Sequence, residues 1–354
     1  MTIPIINVAP LCRHLTKLDY QSPDVQELCT LIGEACKSPG FFYISGWEEI
    51  VSSTNVKNLE LLAKDFFLLS ENEKMNISMK KSGLHWKGYF PSGDELTSGK
   101  PDAKEGIYFG EEYSLDSSQV QNKMAMHGPN QFPGKGKLQE EWKRCVRLYM
   151  DQLTELGLCL MRGISVSLKL PPYHFEKIFC QPKPFTPFRI FRYPSNDSRQ
   201  GVGRHTDYGV LTILKQDHVG GLEVEVNPGQ WTPAPPIDGT FVVNIGDMLE
   251  IWTSGYYKAT PHRVVSGLSE TRMSMPFFFD PSFDAIIDPK DLQLGSITLK
   301  NAAGESEIII GGATSKTAGG GGTIRYGDYI SHKVANVFPE LFKSSGGNDR
   351  LSKL

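Results

Sequence analysis

Apolar residues in the first half of the chain recur at helical spacing. Val25 to Lys37 carries them at Leu28, Leu31, Ile32 and Ala35, and Ser38-Pro39-Gly40 ends the run. Val56 to Leu69 predicts a second amphipathic helix, and Leu138 to Leu168 a long one interrupted at Gly157 and Gly163. Ile3 to Val8 and Phe41 to Ile44 are short apolar strands. Between the second and third helices, His85 to Pro91 and Asp102 to Gly110 belong to an irregular segment rich in Gly, Pro and aromatics. A loop of that length in a compact chain points to function. After Pro182 the period changes to alternation. Strands are predicted over Phe188 to Pro194, His205 to Leu214, Leu222 to Val226, Phe241 to Asp247, Met248 to Trp252, His262 to Val265 and Arg272 to Asp280. Asn227-Pro228-Gly229 and Ile237-Asp238-Gly239 are hairpin-type turns. Short strands with frequent turns predict a sandwich or closed barrel with helices outside it. Asn301 to Gly322 is glycine-rich but lacks a GK[ST] phosphate loop, so it reads as a flexible surface insertion. Asp328 to Phe338 is a closing helix with Asp328 as N-cap and Pro339 as its stop.

A chain of 354 residues, 39% hydrophobic, can bury a large core as one domain or two intimate ones. Its net charge of -3 gives no basic excess for nucleic acid or an anionic membrane. The apolar runs are too short to span a bilayer, and no signal-peptide pattern opens the sequence. Six cysteines without a CxxC predict buried free thiols in a reducing compartment. The last three residues, Ser352-Lys353-Leu354, spell the peroxisomal import address behind a flexible tether, Ser344 to Asn348. The expected location is the peroxisome, reached through its import receptor, with the cytoplasm as the alternative.

The chemistry centres on His205-Thr206-Asp207, answered 55 positions after Asp207 by His262. Histidine and aspartate at i and i+2 share one side of an extended strand. Two histidines and a carboxylate with open positions opposite form the facial triad of non-heme Fe(II) oxygenases. Ten positions beyond His262 stands Arg272-Met273-Ser274, again an i, i+2 pair. A guanidinium fork beside a hydroxyl suits a carboxylate. Read alone, Arg272 has an interior salt bridge as its alternative. The remaining histidines lack a same-face carboxylate, and Asp247 and Glu250 read as structural.

Taken with Ile3 to Ile6, Gly40 to Ile44, Gly88-Tyr89, Asp102 to Glu105, Gly128 to Pro133, Asn244 to Asp247 and Pro276 to Phe279, these motifs resemble the Fe(II)/2-oxoglutarate-dependent oxygenases related to isopenicillin N synthase. The resemblance covers most of the chain. It implies a mainly β fold with flanking helices, built on a double-stranded β-helix (jelly roll) core. It divides the chain into an N-terminal non-heme dioxygenase region (1–135), a long helical connector (136–181), a catalytic jelly roll (182–300) and a Gly-rich insertion with closing helix and tail (301–354). It implies His205, Asp207 and His262 as iron ligands, and Arg272, Ser274 and Tyr193 as the site for the distal carboxylate of 2-oxoglutarate. Phe278, Tyr108, Phe109 and Tyr89 become candidate walls for a small-molecule substrate. The cofactors implied are Fe(II), 2-oxoglutarate and O₂, with ascorbate as reductant, in an enzyme expected to be a monomer. Where the family has Asn and Tyr in its NYYP strand segment, this chain has Phe191 and Arg192, and Gly46-Trp47 replaces the HG after the Phe41 strand. The expected reaction hydroxylates or desaturates a small metabolite while 2-oxoglutarate becomes succinate and CO₂. An iron oxidase that does without 2-oxoglutarate and a non-catalytic jelly-roll binding protein are the rival readings.

Overall fold

The alternating strands after Pro187 build two facing sheets. The computed structural model describes residues 2–13, 18–265, 267–288, 309–310, 313–314 and 324–338. Eight strands form the larger sheet, in the order Ile5–Asn7, Phe41–Ser45, Phe241–Ile245, Leu211–Gln216, Arg272–Phe279, Phe188–Tyr193, Glu105–Phe109 and Gly88–Phe90. All neighbours are antiparallel except the first pair. The smaller sheet runs Gln230–Pro233, Leu222–Asn227, His262–Val264 and Val202–His205. From Phe188 onward the chain passes back and forth between these sheets, which is the expected jelly roll. Phe41, Tyr43 and Val242 from one sheet pack with Leu222, Val224 and Ala234, which lie in or just beyond the strands of the other.

The strand Arg272–Phe279 shows how alternation divides the labour. Met273, Met275, Phe277 and Phe279 enter the main hydrophobic core, whereas Arg272, Ser274, Pro276 and Phe278 line the cavity between the sheets. The core on the other side is shared with helices Pro23–Lys37, Ser53–Leu68 and Gly136–Ser167. Burying such side chains contributes about 1.5–3 kcal/mol each.

Five expectations are corrected. The long helix runs unbroken for 32 residues. Its glycines serve close approach, since a Cβ on Gly157 would lie 2.3 Å from the Phe279 ring, and one on Gly163 3.0 Å from Leu11. The irregular segment supplies the last two strands of the large sheet, Glu105–Phe109 and, at the edge, Gly88–Phe90. Met248 to Trp252 is helical, within Asp247–Trp252, because Met248, Leu249, Ile251 and Trp252 all find buried positions on a short helix packed in the core. The Ile237-Asp238-Gly239 turn, with Gly239 at φ +72°, carries the chain from the small sheet to the large one and makes no hairpin. The closing helix spans Tyr326–Val337 with Arg325 as its N-cap, which puts Asp328 in the first turn.

The six cysteines are buried free thiols. Burial pushes Cys29 up to about 11 and, with the acidic neighbours of each, Cys12 and Cys159 up to about 12. Among the described residues no helix is long and apolar enough to cross a membrane. Most of the Gly-rich stretch Asn301 to Gly322, and all of the Ser352-Lys353-Leu354 address, lie outside the described residues.

The two helix glycines give a test. Alanine improves helix propensity by about 1 kcal/mol, but overpacking a core costs ~1–3 kcal/mol. Gly157→Ala should therefore lower the urea unfolding midpoint clearly. Gly163→Ala, which meets only the movable ends of Leu11 and Ile32, should lower it less; the reverse order would contradict the packing described.

Candidate metal centre

His205 and His262 are register partners across the antiparallel pair that joins their strands, so the two imidazoles stand side by side with ring centroids 4.2 Å apart. Each turns Nδ1 to a carbonyl two residues back, His205 to Gly203 (2.8 Å) and His262 to Thr260 (3.2 Å). A ring nitrogen facing a carbonyl carries the proton, which leaves Nε2 as the metal-binding lone pair.

Asp207 reaches the same point by a different route from the one predicted. The strand ends at His205, and residues 206–210 cross to the large sheet, where the next strand starts at Leu211. The first N–H groups of the Asp247–Trp252 helix pin this crossing: Asp247 donates to Asp207 O (2.7 Å) and Met248 to Gly209 O (3.0 Å). Only a glycine fits at 246, where a Cβ would lie 2.3 Å from Gly209 O. Thr212 Oγ1 (2.5 Å) and Asn244 Nδ2 (2.7 Å) both donate to Asp207 Oδ2. Oδ1 is left facing the histidines, 3.8 Å from each Nε2.

Burial, reinforced by neighbouring His262, pushes the His205 imidazole down to about 4. For Asp207, burial acts to raise the pKa, but His262, His205 and the bonds from Thr212 and Asn244 outweigh it and hold the carboxyl below its ordinary range. A neutral imidazole and an ionised carboxylate are the forms that bind a metal. Among the described residues, His205, Asp207 and His262 are the group of His, Cys, Asp or Glu side chains placed to hold an ion, with ligand atoms within 4.8 Å of one another.

Arg272 lies in the same cavity. It pairs across the strands with Tyr193, whose ring centroid is 4.8 Å from the guanidinium carbon, and it is 1% exposed. Nη2 makes one long bond to Gln216 (3.4 Å), and Nε and Nη1 have no hydrogen-bond partner among the described residues. A buried guanidinium with unspent donors fits the carboxylate of a bound diacid. Ser274 and Phe278 follow on the same face.

The other three aromatic candidates are corrected. Tyr89 is core: its hydroxyl donates to Glu105 (2.7 Å) and its ring packs edge-on to Phe66. Phe109 points into the helix-side core, stacked with Phe132 and Phe188. Tyr108 stands one layer behind the cavity, against the guanidinium of Arg189. The lining that sequence reasoning missed includes Glu95, Thr97, Lys104, Arg189 and Tyr208, with Ile330, Val334 and Phe338 from the closing helix and the residue after it. Arg189 carried a usable signal, because it stands at i−4 from Tyr193 on one strand face. Thr212 and Asn244, which orient Asp207, carried none. His218 is exposed beside Glu270 (3.5 Å), and His127 packs among Tyr113, Phe185 and Phe283, so neither joins the centre.

The sequence profile of the 2OG-Fe(II) oxygenase superfamily matches residues 185–281, and that of the non-haem dioxygenase in morphine synthesis N-terminal region matches residues 3–135. A probable iron/ascorbate oxidoreductase of Dictyostelium discoideum is 40% identical over 336 residues, 88% of each chain. A homoarginine-6-hydroxylase of Glycine max is 36% identical over 354 residues, 96% of this chain and 98% of the relative. A full-length Neurospora crassa protein solved in complex with alpha-KG shares the fold, with a TM-score of 0.72 at 23% identity over 94% of this chain and 96% of that one. Identity of this order with the curated relatives, across nearly the whole length, decides the matter: the chain belongs to the 2OG-Fe(II) oxygenase superfamily and is an Fe(II)- and 2-oxoglutarate-dependent dioxygenase.

Proposed function

We propose that His205, Asp207 and His262 ligate the iron, that Arg272 with Ser274 and Tyr193 anchors the distal carboxylate of 2-oxoglutarate, and that the enzyme hydroxylates or desaturates a small amino acid bound beside Phe278. The observation that carries the reading is the pair of unspent donors on buried Arg272, sharing one cavity with the three converging ligand atoms. With O₂ and 2-oxoglutarate, a ferrous ion here supplies C–H oxidation coupled to release of succinate and CO₂, with ascorbate as reductant.

The chain's own residues bind and orient. Thr212 and Asn244 fix the Asp207 carboxylate so that one oxygen alone faces the metal position. The carbonyls of Gly203 and Thr260 fix the histidine tautomers. Arg272, its back covered by Tyr193, fixes one end of the diacid, and the apolar side chains of the closing helix keep bulk water from the reacting carbon. The homoarginine-6-hydroxylase relative supports an amino acid as the substrate class. Ser352-Lys353-Leu354 supports delivery to the peroxisome by its import receptor.

The purified enzyme should release succinate from 2-oxoglutarate in an Fe(II)- and O₂-dependent manner, and His205→Ala should abolish this. No turnover of 2-oxoglutarate under any substrate would instead point to an oxidase that does without it. Asn244→Ala should weaken metal affinity by about 10–100-fold in calorimetric titration. Arg272→Gln should raise the Kd for 2-oxoglutarate by about 100-fold while leaving metal affinity intact. A fluorescent fusion carrying the intact C-terminus should collect in peroxisomes, and deleting the last three residues should disperse it; diffuse signal from the intact fusion would refute that address.

A further inference from the structure

We propose that Glu95 and Arg189 form the subsite for the charged groups of the primary substrate, Arg189 taking a carboxylate and Glu95 a cationic N–H group. This rests on the oxygenase reading above and goes on to assign which residues hold the amino acid.

Two guanidinium groups line this cavity, at opposite ends of two neighbouring strands. Tyr193, Phe191 and Arg189 alternate onto the cavity side of their strand, and Tyr193 is paired with Arg272. Arg189 is therefore four residues, about 13 Å of strand, from the end assigned to 2-oxoglutarate. The two cations are placed for different anions.

Arg189 is held but not satisfied. Its guanidinium carbon lies 4.2 Å from the Tyr108 ring centroid and 4.7 Å from that of Phe278, which grips the flat group between two aromatic rings. Its nearest acid oxygen, on Glu95, is 3.7 Å away, beyond hydrogen-bond length, and its Nε has no hydrogen-bond partner among the described residues. A pair that served only to hold the fold would close to the 2.7–2.9 Å usual for charge-assisted bonds. Leaving such donors buried without an acceptor is costly, and a bound carboxylate would supply the acceptor.

Glu95 is 5% exposed and lines the cavity beside Arg189. Lys104 approaches it at 3.1 Å but makes its shorter contact, 2.6 Å, with Asp102. One lysine charge is thus shared between two acids, and Asp102 also accepts from Thr97 (2.6 Å). Of these two acids only Glu95 lines the cavity, and its Oε2 has no hydrogen-bond partner among the described residues, which leaves it open to a ligand cation. Val334 and Phe338 line the same cavity with apolar surface. A zwitterion with an aliphatic chain matches this combination. The cation on Glu95 is either an α-ammonium or a side-chain guanidinium, one N–H donor chemistry that truncated ligands separate.

The test uses the full chain loaded anaerobically with Fe(II) and 2-oxoglutarate, whose visible charge-transfer absorption responds when a ligand binds beside the metal. L-homoarginine and L-arginine should perturb the absorption, with Kd values at least about tenfold below that of agmatine, which lacks the carboxylate. Retained binding by the deaminated guanidino acid puts the guanidinium on Glu95; retained binding by L-norvaline puts the ammonium there. Agmatine binding as tightly as its parent would overturn the role given to Arg189. Arg189→Gln and Glu95→Gln should each raise the amino-acid Kd by about 10–100-fold and leave the 2-oxoglutarate affinity within about twofold. Lost 2-oxoglutarate affinity with unchanged amino-acid binding would overturn the proposal. Should either variant fail to fold, the ligand series on the unaltered chain still decides. Without any charge-transfer absorption the oxygenase reading falls and this one with it. An absorption that forms but ignores every amino acid in the series overturns the subsite alone.

Discussion

The Asp207 carboxylate is where the two sheets become one site. One oxygen is spent on Thr212 and Asn244, both strand residues of the large sheet, while the other faces two histidines of the small sheet. The group is buried, so it must be either paired or protonated. The arrangement pairs it on both sides, and its lowered pKa records the result. Because residues 206–210 are crossing between sheets, no strand ladder satisfies their carbonyls. The helix start at Asp247 does so instead, which is why a helix follows the strand Phe241–Ile245.

Around that tie, the period-two rule of strands separates support from chemistry. Along Arg272–Phe279, each side chain that packs against the helices is followed by one that faces the cavity. The neighbouring strand Phe188–Tyr193 contributes Arg189, Phe191 and Tyr193 to the same cavity. The rigidity needed to aim the guanidinium groups comes from the aromatic and sulfur-containing side chains on the other side of the same strands. The close Gly157–Phe279 approach then sets how near the long helix lies to that layer.

Much of this was legible in the residues. The change of period after Pro182 marked a sandwich or closed barrel, which the family resemblance narrowed to a jelly roll, and the spacing of His205, Asp207, His262, Arg272 and Ser274 marked the centre. The route by which Asp207 arrives was not legible, since an i, i+2 pair on one strand and a pair split by a crossing look the same in sequence. Nor was the helical state of Met248 to Trp252, because a short apolar run has no period of its own. Tyr89 and Phe109 were misplaced because an aromatic residue in a segment without clear periodicity gives no sign of which face it will take. Glu95 and Lys104 are charges that read as surface until the fold lays their segment against the strand that carries Arg189.

The six thiols acquire a meaning from the chemistry run beside them. The thiolate is the form that oxidants attack, and burial keeps these groups protonated far above neutral pH. An enzyme that activates O₂ leaks reactive by-products whenever oxygen is consumed without product. Here its sulfur nucleophiles are sealed in the interior, so self-inflicted damage should fall first on the half-buried Met75, Met124 and Met126 and spare the cysteines.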